Sequence, residues 1–371
     1  VLNFVALHAG MSTSVGPGGM PAVHVFNPSS GAPITYSLRG LRSATEVPEW
    51  AAFCARCFSY KAVPPSSEYF RRHFINDPDR RHDLVRVACE VDTGDIVGSV
   101  RVFIRTVSSG GRPHRAAGLG EVCTTPGHRR RGISGALLAD ALAAADEAGL
   151  RLSLLHAAPD FRPFYARAGF RSVRSGWATA RVAVLPGGGA GGDDGAVVPL
   201  EVSPKTAPVL ALLHRAYSEE RFEGCVVRSD AYWRDYMPGE LGAAVCLLRR
   251  RPAAAAGDGT MASSIVAWCA LRDRGGGVYQ LREFGVDLRP GDGSPPVTTG
   301  EALGRMLPAA LVAAGGHGTF ELNLPRIVLE EVVASPASEF VGGASIDLDG
   351  ARYDFDDGWM WRGDVDFRPD R

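Results

Sequence analysis

The sequence lacks any excess of charge. It has 40 Lys and Arg against 41 Asp and Glu, for a net charge of −1. A chain this balanced has no overall field to gather nucleic acid or an anionic membrane. Neither is expected as a partner, and any ligand must be sought at a local site. No run of about 18 apolar residues is present, so no membrane-spanning helix is expected. The opening segment VLNFVALHAG is short and has no basic flank, so it does not read as a secretory signal. A disulfide framework is also missing. The seven cysteines are an odd number, and most lie in apolar runs, such as Cys246 in AAVCLL and Cys269 in IVAWCA. Cys54 and Cys57 form a CxxC, but no second pair accompanies it, and EWAAFCARCFSY has a helical pattern. These features indicate buried helix thiols in a reducing, cytoplasmic setting, with no metal site.

What is present suits a soluble globular protein. The chain has 371 residues, 45% apolar and 22% charged, enough for two domains. Residues 1–33 are rich in Gly, Pro and Ser and read as a disordered lead-in. A first unit spans 34–185. It begins with a strand near Tyr36, then helices over Pro48–Tyr60 and Ser67–Asn76. LVRVACEVD and IVGSVRVFIRTV alternate as an antiparallel pair, followed by a turn at Ser108–Gly111 and the strand AGLGEVCTT. A long helix from Ile133 to Glu147 stops at Gly149. RLSLLHA is a buried strand, Asp160–Ala168 a short helix, and a strand from Phe170 to Val184 closes the unit. PGGGAGGDDGA, residues 186–196, has nothing from which to build a core and reads as a linker. The second unit, 197–371, repeats the order of strands and helices, which suggests a diverged duplication.

The strongest chemical signal runs from Val122 to Leu138. A strand ends at Val122, Cys123 and Thr124, a short loop turns, and an apolar helix begins. The first turn of a helix presents unpaired N–H groups and a positive dipole end, which together attract an anion. Gly132 and Gly135 remove side chains where a phosphate would approach, and Arg129, Arg130 and Arg131 add charge. The expected ligand is a pyrophosphate. A solvated basic turn or a nucleic-acid patch is the plainer reading of HRRRG, but neither requires a strand before it and a glycine-opened helix after it.

Arg129-x-x-Gly132-x-Ser134-Gly135 resembles the acetyl-CoA signature of the GNAT superfamily. Ser134 departs from the Gly or Ala usual there. Phe164-Tyr165-Ala166-Arg167-Ala168-Gly169-Phe170 resembles the FYxxxGF element found late in that fold. The resemblance covers about Tyr36 to Val184. It implies an α+β fold, a mixed and mostly antiparallel sheet with helices on both faces, followed here by a degenerate GNAT-like domain shaping the acceptor pocket. It implies acetyl-CoA as co-substrate and acetyl transfer to a small-molecule primary amine by direct attack in a ternary complex. A protein N-acetyltransferase and a non-catalytic acyl-CoA sensor are the alternatives. The backbone of Val122, Cys123 and Thr124 would pair with the pantetheine arm. Arg129, Arg130, Arg131, Gly132, Ile133, Ser134 and Gly135 would hold the pyrophosphate. Tyr165 is the candidate acid and Glu121 the candidate base, with His156 or the terminal carboxylate of Arg371 as other bases. Covalent catalysis by Cys123 is disfavoured, because no base lies at an identifying spacing. The second unit lacks the signature: LRPGDGSPPVTTGEALG has no arginine cluster before its helix. Tandem Eis-type and yeast lysine N6-acetyltransferases both resemble this layout. The motifs do not choose between them, and the oligomeric state stays open.

Overall fold

The computed structural model describes residues 11–15, 21–26, 33–60, 63–173, 176–184, 191–192, 195–219, 221–241, 243–248, 265–288, 296–315, 317–334, 344–356 and 359–363. Its backbone divides into two compact units. One comprises 1–107, 114–173 and 358–366, and the other 108–113, 174–357 and 367–371.

The first unit opens with strands β1 (Met11–Val15), β2 (Pro21–Phe26) and β3 (Pro33–Gly40), paired antiparallel in sequence. This corrects the reading of residues 1–33 as disordered where they are described; residues 1–10, 16–20 and 27–32 lie outside the described set. The physical reason is burial: Ala22 and Val23 are 5% and 1% exposed, and Val23 registers against Tyr36. Helix α1 (Val47–Cys57) buries Trp50, Phe53, Cys54 and Cys57, one face of a 3.6-residue period. Helix α2 (Ser67–Ile75) is capped by Ser66, whose Oγ accepts from the Tyr69 amide at 3.1 Å. These two helices cover one face of the sheet, with Trp50, Phe53, Phe70 and Phe74 packed with Val85 and Val87. The cysteines of the CxxC are buried there, as their helical pattern implies.

Strands β4 (Val85–Glu90), β5 (Ile96–Ser109) and β6 (Arg112–Thr124) follow, and Gly110 and Gly111 take positive φ at the turn between the last two. Helix α3 (Ile133–Glu147) packs Ile133, Leu137 and Ala141 on the opposite face and ends at Gly149, φ +77°. Strand β7 (Leu152–His156) then runs parallel to β6, and helix α4 (Arg162–Arg167) and the short β8 (Arg171–Ser172) follow. Between β7 and β8 in the sheet lies a strand from far along the chain, Trp359–Gly363, antiparallel to both.

The strand expected from Phe170 to Val184 is therefore two strands. β9 (Gly176–Val184) belongs to the second sheet, where it buries Ala178, Ala180, Val182 and Val184. Alternation fixes which face of a strand is apolar but leaves its partner open.

The second unit contains β10 (Gly191–Gly192), β11 (Gly195–Pro199), helix α5 (Ala207–His214), β12 (Val226–Val227), β13 (Ala243–Leu248), β14 (Ile265–Gly275), β15 (Val278–Val286), helix α6 (Thr299–Gly315), β16 (Gly318–Pro325), helix α7 (Arg326–Val333) and β17 (Ala344–Asp356). The main sheet runs β10-β11-β13-β14-β15-β16-β9-β17. Its single parallel pair among the recorded registers, β15 with β16, is joined through α6, as β6 and β7 are joined through α3. The two units thus share one plan, a mixed α+β sheet with helices on both faces. No helix among the described residues is long and apolar enough to cross a membrane.

Candidate active site

The site is built where β6 and β7 part. Their ladder runs from Ala116 opposite Leu152 to Leu119 opposite Leu155. Strand β6 continues to Thr124 while β7 ends at His156, so the β7 side of Val122, Cys123 and Thr124 carries no recorded ladder. Backbone groups on such an edge are free to pair with an extended ligand.

The strand end is fastened to the helix it feeds. Thr124 Oγ1 lies 2.9 Å from Ser134 Oγ, and the Thr125 amide donates to Val97 O at 2.9 Å. The turn between them needs left-handed backbone at Arg130 (φ +60°) and Gly132 (φ +77°), the latter as the helix N-cap. Gly132 adopts this without the steric cost a side chain brings, whereas Arg130 is held there by its surroundings. No side chain caps α3, so the amides of Ile133, Ser134 and Gly135 have no side-chain cap acceptor. A Cβ built on Gly135 meets nothing within 4 Å, leaving room for a bulky anion.

The arginine triplet divides its labour. Arg129 Nε donates to Thr124 O at 3.0 Å, which braces the loop. Arg131 Nη1 donates to Tyr36 Oη at 3.1 Å, and the same hydroxyl lies 2.9 Å from His128 Nδ1. Burial pushes the Tyr36 phenol up, against the opposing Arg131 charge. Arg130 is exposed, with no recorded side-chain partner among the described residues. Of the three, it is the one available to a phosphate.

Glu121 occupies a left-handed position, φ +53°, rare for a residue with a side chain. Its side chain is 9% exposed and sits 3.5 Å from Arg101 Nη1. Arg101, 2% exposed, also pairs with Asp77 at 3.0 Å, and its guanidinium lies over the Phe103 ring at 3.9 Å. A Cβ on Gly120 would come 2.8 Å from Phe103, so that glycine makes room for the ring. Burial raises the Glu121 carboxyl above its usual range, with Arg101 opposing. Its Oε2 is buried without a hydrogen-bond partner. A carboxylate so placed has a lone pair ready for a proton or a water.

Tyr165, on α4, is 9% exposed and packs edge-on between Phe164 and Phe170. Burial pushes its phenol up to about 12, so it stays protonated and can donate. His156 is exposed at the end of β7, edge-on to Trp359. Cys123 packs against the cluster holding Cys54 and Cys57. The hydrogen bond with Cys54, with burial adding, raises its thiol well above the ordinary range. A neutral thiol turned toward other thiols is a poor nucleophile. Arg371 lies outside the described residues, as do residues 289–295 of LRPGDGSPPVTTGEALG. Among the described residues, no cluster of His, Cys, Asp and Glu could hold a metal ion.

Sequence reasoning missed Arg101, Asp77 and Tyr36. Arg101 carried a signal, since an arginine in the apolar run IVGSVRVFIRTV requires a buried partner.

A parted parallel strand pair beside an uncapped helix N-terminus is a place where an extended anionic ligand can bind. Residues 38–173 match the family described as an acetyltransferase (GNAT) domain. Solved structures share the fold. A GCN5-related N-acetyltransferase from Kribbella flavida is 17% identical, with a TM-score of 0.57 over 89% of this chain and 71% of its own. Eis1 from Mycobacterium abscessus is 17% identical, with a TM-score of 0.50 over 88% of this chain and 73% of its own. Saccharomyces cerevisiae N-myristoyltransferase with bound myristoyl-CoA is 10% identical, with a TM-score of 0.54 over 88% of this chain and 82% of its own. Comparison with curated proteins gave no match.

Proposed function

We propose that the protein transfers an acetyl group from acetyl-CoA to a primary amine of a small molecule, by direct attack in a ternary complex. The observation that carries this reading is the uncapped start of α3, with exposed Arg130 and open space at Gly135, beside the unladdered end of β6. Arg130 and the amides of Ile133, Ser134 and Gly135 hold the pyrophosphate, while Arg129 and Arg131 keep the loop in shape. The backbone of Val122, Cys123 and Thr124 pairs with the pantetheine arm and aims the thioester.

The acceptor amine must be neutral to attack. Glu121, raised by burial, takes its proton directly or through a water. The sulfur leaves as thiolate and is met by the Tyr165 hydroxyl. A phenol at about 12 is a weaker acid than a thiol near 8.5, so Tyr165 stabilises the sulfur chiefly by a hydrogen bond.

The test is a panel of small amines and amine-bearing peptides, following release of the free CoA thiol. Turnover with a small primary amine is the expected result. Turnover with peptides alone would replace the substrate class. Acetyl-CoA binding without turnover on any amine would replace the enzyme with a sensor.

A further inference from the structure

The second unit contains a buried polar cluster that the acetyl-transfer site does not use. His214 ends α5, where the helix widens into the looser turn Arg215–Glu219. Such widened turns recur at functional sites. His214 is 1% exposed, and Gly285 lets the backbone of α5 approach: a Cβ there would come 2.9 Å from the His214 amide nitrogen. Nδ1 of His214 lies 3.3 Å from Glu283 Oε1. Nε2 lies 3.9 Å from Cys225 Sγ and 3.3 Å from Arg228 Nη1. Glu219 Oε1 is 3.9 Å from Nε2, and Trp233 packs edge-on to the ring at 5.3 Å.

The neighbours fix the tautomer. A carboxylate faces Nδ1, so the proton sits there. The nearest neighbour of Nε2 is the Arg228 N–H at 3.3 Å, with the Cys225 thiol and the Glu219 carboxylate both at 3.9 Å, so the lone pair sits there. Glu283 is in turn held by Arg228, at 2.5 Å. Burial opposes its charge, but Arg228 and His214 prevail and keep it at about 2. Cys225 is half-buried, and its backbone is fixed: its carbonyl accepts from the Ser108 amide at 2.9 Å, and the Gly224 amide donates to Ser108 O at 2.7 Å. The order is nucleophile, base and orienting carboxylate, the relation by which a thiol is activated. Two further buried nitrogens of this region, Arg228 Nε and Trp268 Nε1, have no hydrogen-bond partner. Buried donors left open are costly in a purely structural network and point to a ligand.

We propose that Cys225, His214 and Glu283 form a second, nucleophilic site that accepts an acyl group from a small thioester. The Cys225 sulfur attacks the thioester carbonyl, and its proton passes to His214 Nε2. The carbon–sulfur bond of the donor breaks, and His214 returns the proton to the departing thiolate. The products are S-acyl-Cys225 and a free thiol, with no oxidant or reductant required. Burial, with the Glu283 charge adding, pushes the Cys225 thiol up to about 12. The thiol is therefore neutral at rest and depends on His214 at the moment of attack.

The experiment treats the full chain with the acetyl thioester of N-acetylcysteamine and maps acetylated cysteines by mass spectrometry. This probe has no pyrophosphate, so its outcome is independent of the acetyl-CoA site. Amine turnover with acetyl-CoA, measured on the same preparation, reports that site separately. Cys225 is expected to acetylate on the order of 100-fold faster than Cys54, Cys57, Cys123 or Cys269. His214→Gln should remove that advantage, and Glu283→Gln should reduce it. Equal labelling of the thiols in the unaltered protein would overturn the proposal, and that comparison requires no variant to fold. Undiminished Cys225 labelling in a natively folded His214→Gln protein would overturn it as well.

Discussion

Replacing Arg101 with methionine tests the buried ion network and the base assignment together. Arg101 is 2% exposed, 3.0 Å from Asp77 and 3.5 Å from Glu121. Asp77 keeps a second cation, Arg105, at 3.0 Å, whereas Glu121 loses the cation beside it. At 3.5 Å and an effective dielectric of about 20, one such attraction is about 5 kcal/mol. Desolvation of the missing cation offsets part of that, so Arg101→Met should cost roughly 3–5 kcal/mol in urea unfolding at pH 7. The loss should shrink in acid. Glu121 is raised in the fold by burial, so a protonated Glu121 favours folding below its unfolded value near 4.3, and that contribution is lost as pH rises through the folded value. Removing Arg101 raises Glu121 further, so the variant suffers most at neutral and alkaline pH. Kinetics supply the second readout. A base works only when ionised, so the acid limb of kcat/KM should move to higher pH. A destabilised variant whose acid limb stays in place would refute Glu121 as the titrating base. Glu121→Gln, which removes the charge without changing shape, should stay within about 1 kcal/mol of the parent and lose turnover.

Other outcomes follow from the same geometry. Gly132→Ala places a side chain at φ +77° and should cost about 1–2 kcal/mol of stability and weaken acetyl-CoA binding in calorimetry. Tyr165→Phe should lower kcat on the order of 100-fold with little change in acetyl-CoA affinity; parental kcat would remove the donor role. Glu283 lies at about 2 against an ordinary 4.5 and is 15% exposed. Its contribution, about 3 kcal/mol, is present above pH 4.5 and lost as pH falls toward 2. Glu283→Gln should flatten acid unfolding across that window.

The loop between β6 and α3 was legible because its backbone demands are local. Gly132 takes left-handed backbone at the start of α3, a demand set by the turn itself whatever lies elsewhere. The CxxC was legible for the same reason, as helical spacing alone buried both thiols. Partnership was not legible. Nothing in GWATARVAV says that its neighbours are β16 and β17, and nothing in WMWRG points to β7. Residues 21–26 passed for part of a lead-in because their apolar positions gain meaning only opposite β3. The left-handed backbone at Glu121 and the gathering of His214, Cys225 and Glu283 are likewise products of tertiary packing.

The placing of Trp359–Gly363 between β7 and β8 bears on how the molecule is made. Leu154 is paired with Trp361, so the first sheet cannot be completed until residue 363, some 190 residues beyond β8, has left the ribosome. At about 5–20 residues per second, the earlier strands wait with an open edge for many seconds. An unpaired edge held that long invites wrong pairing. The same thread ties the halves into one unit of inheritance: severing the gene at its glycine-rich segment would give neither product its full set of strands.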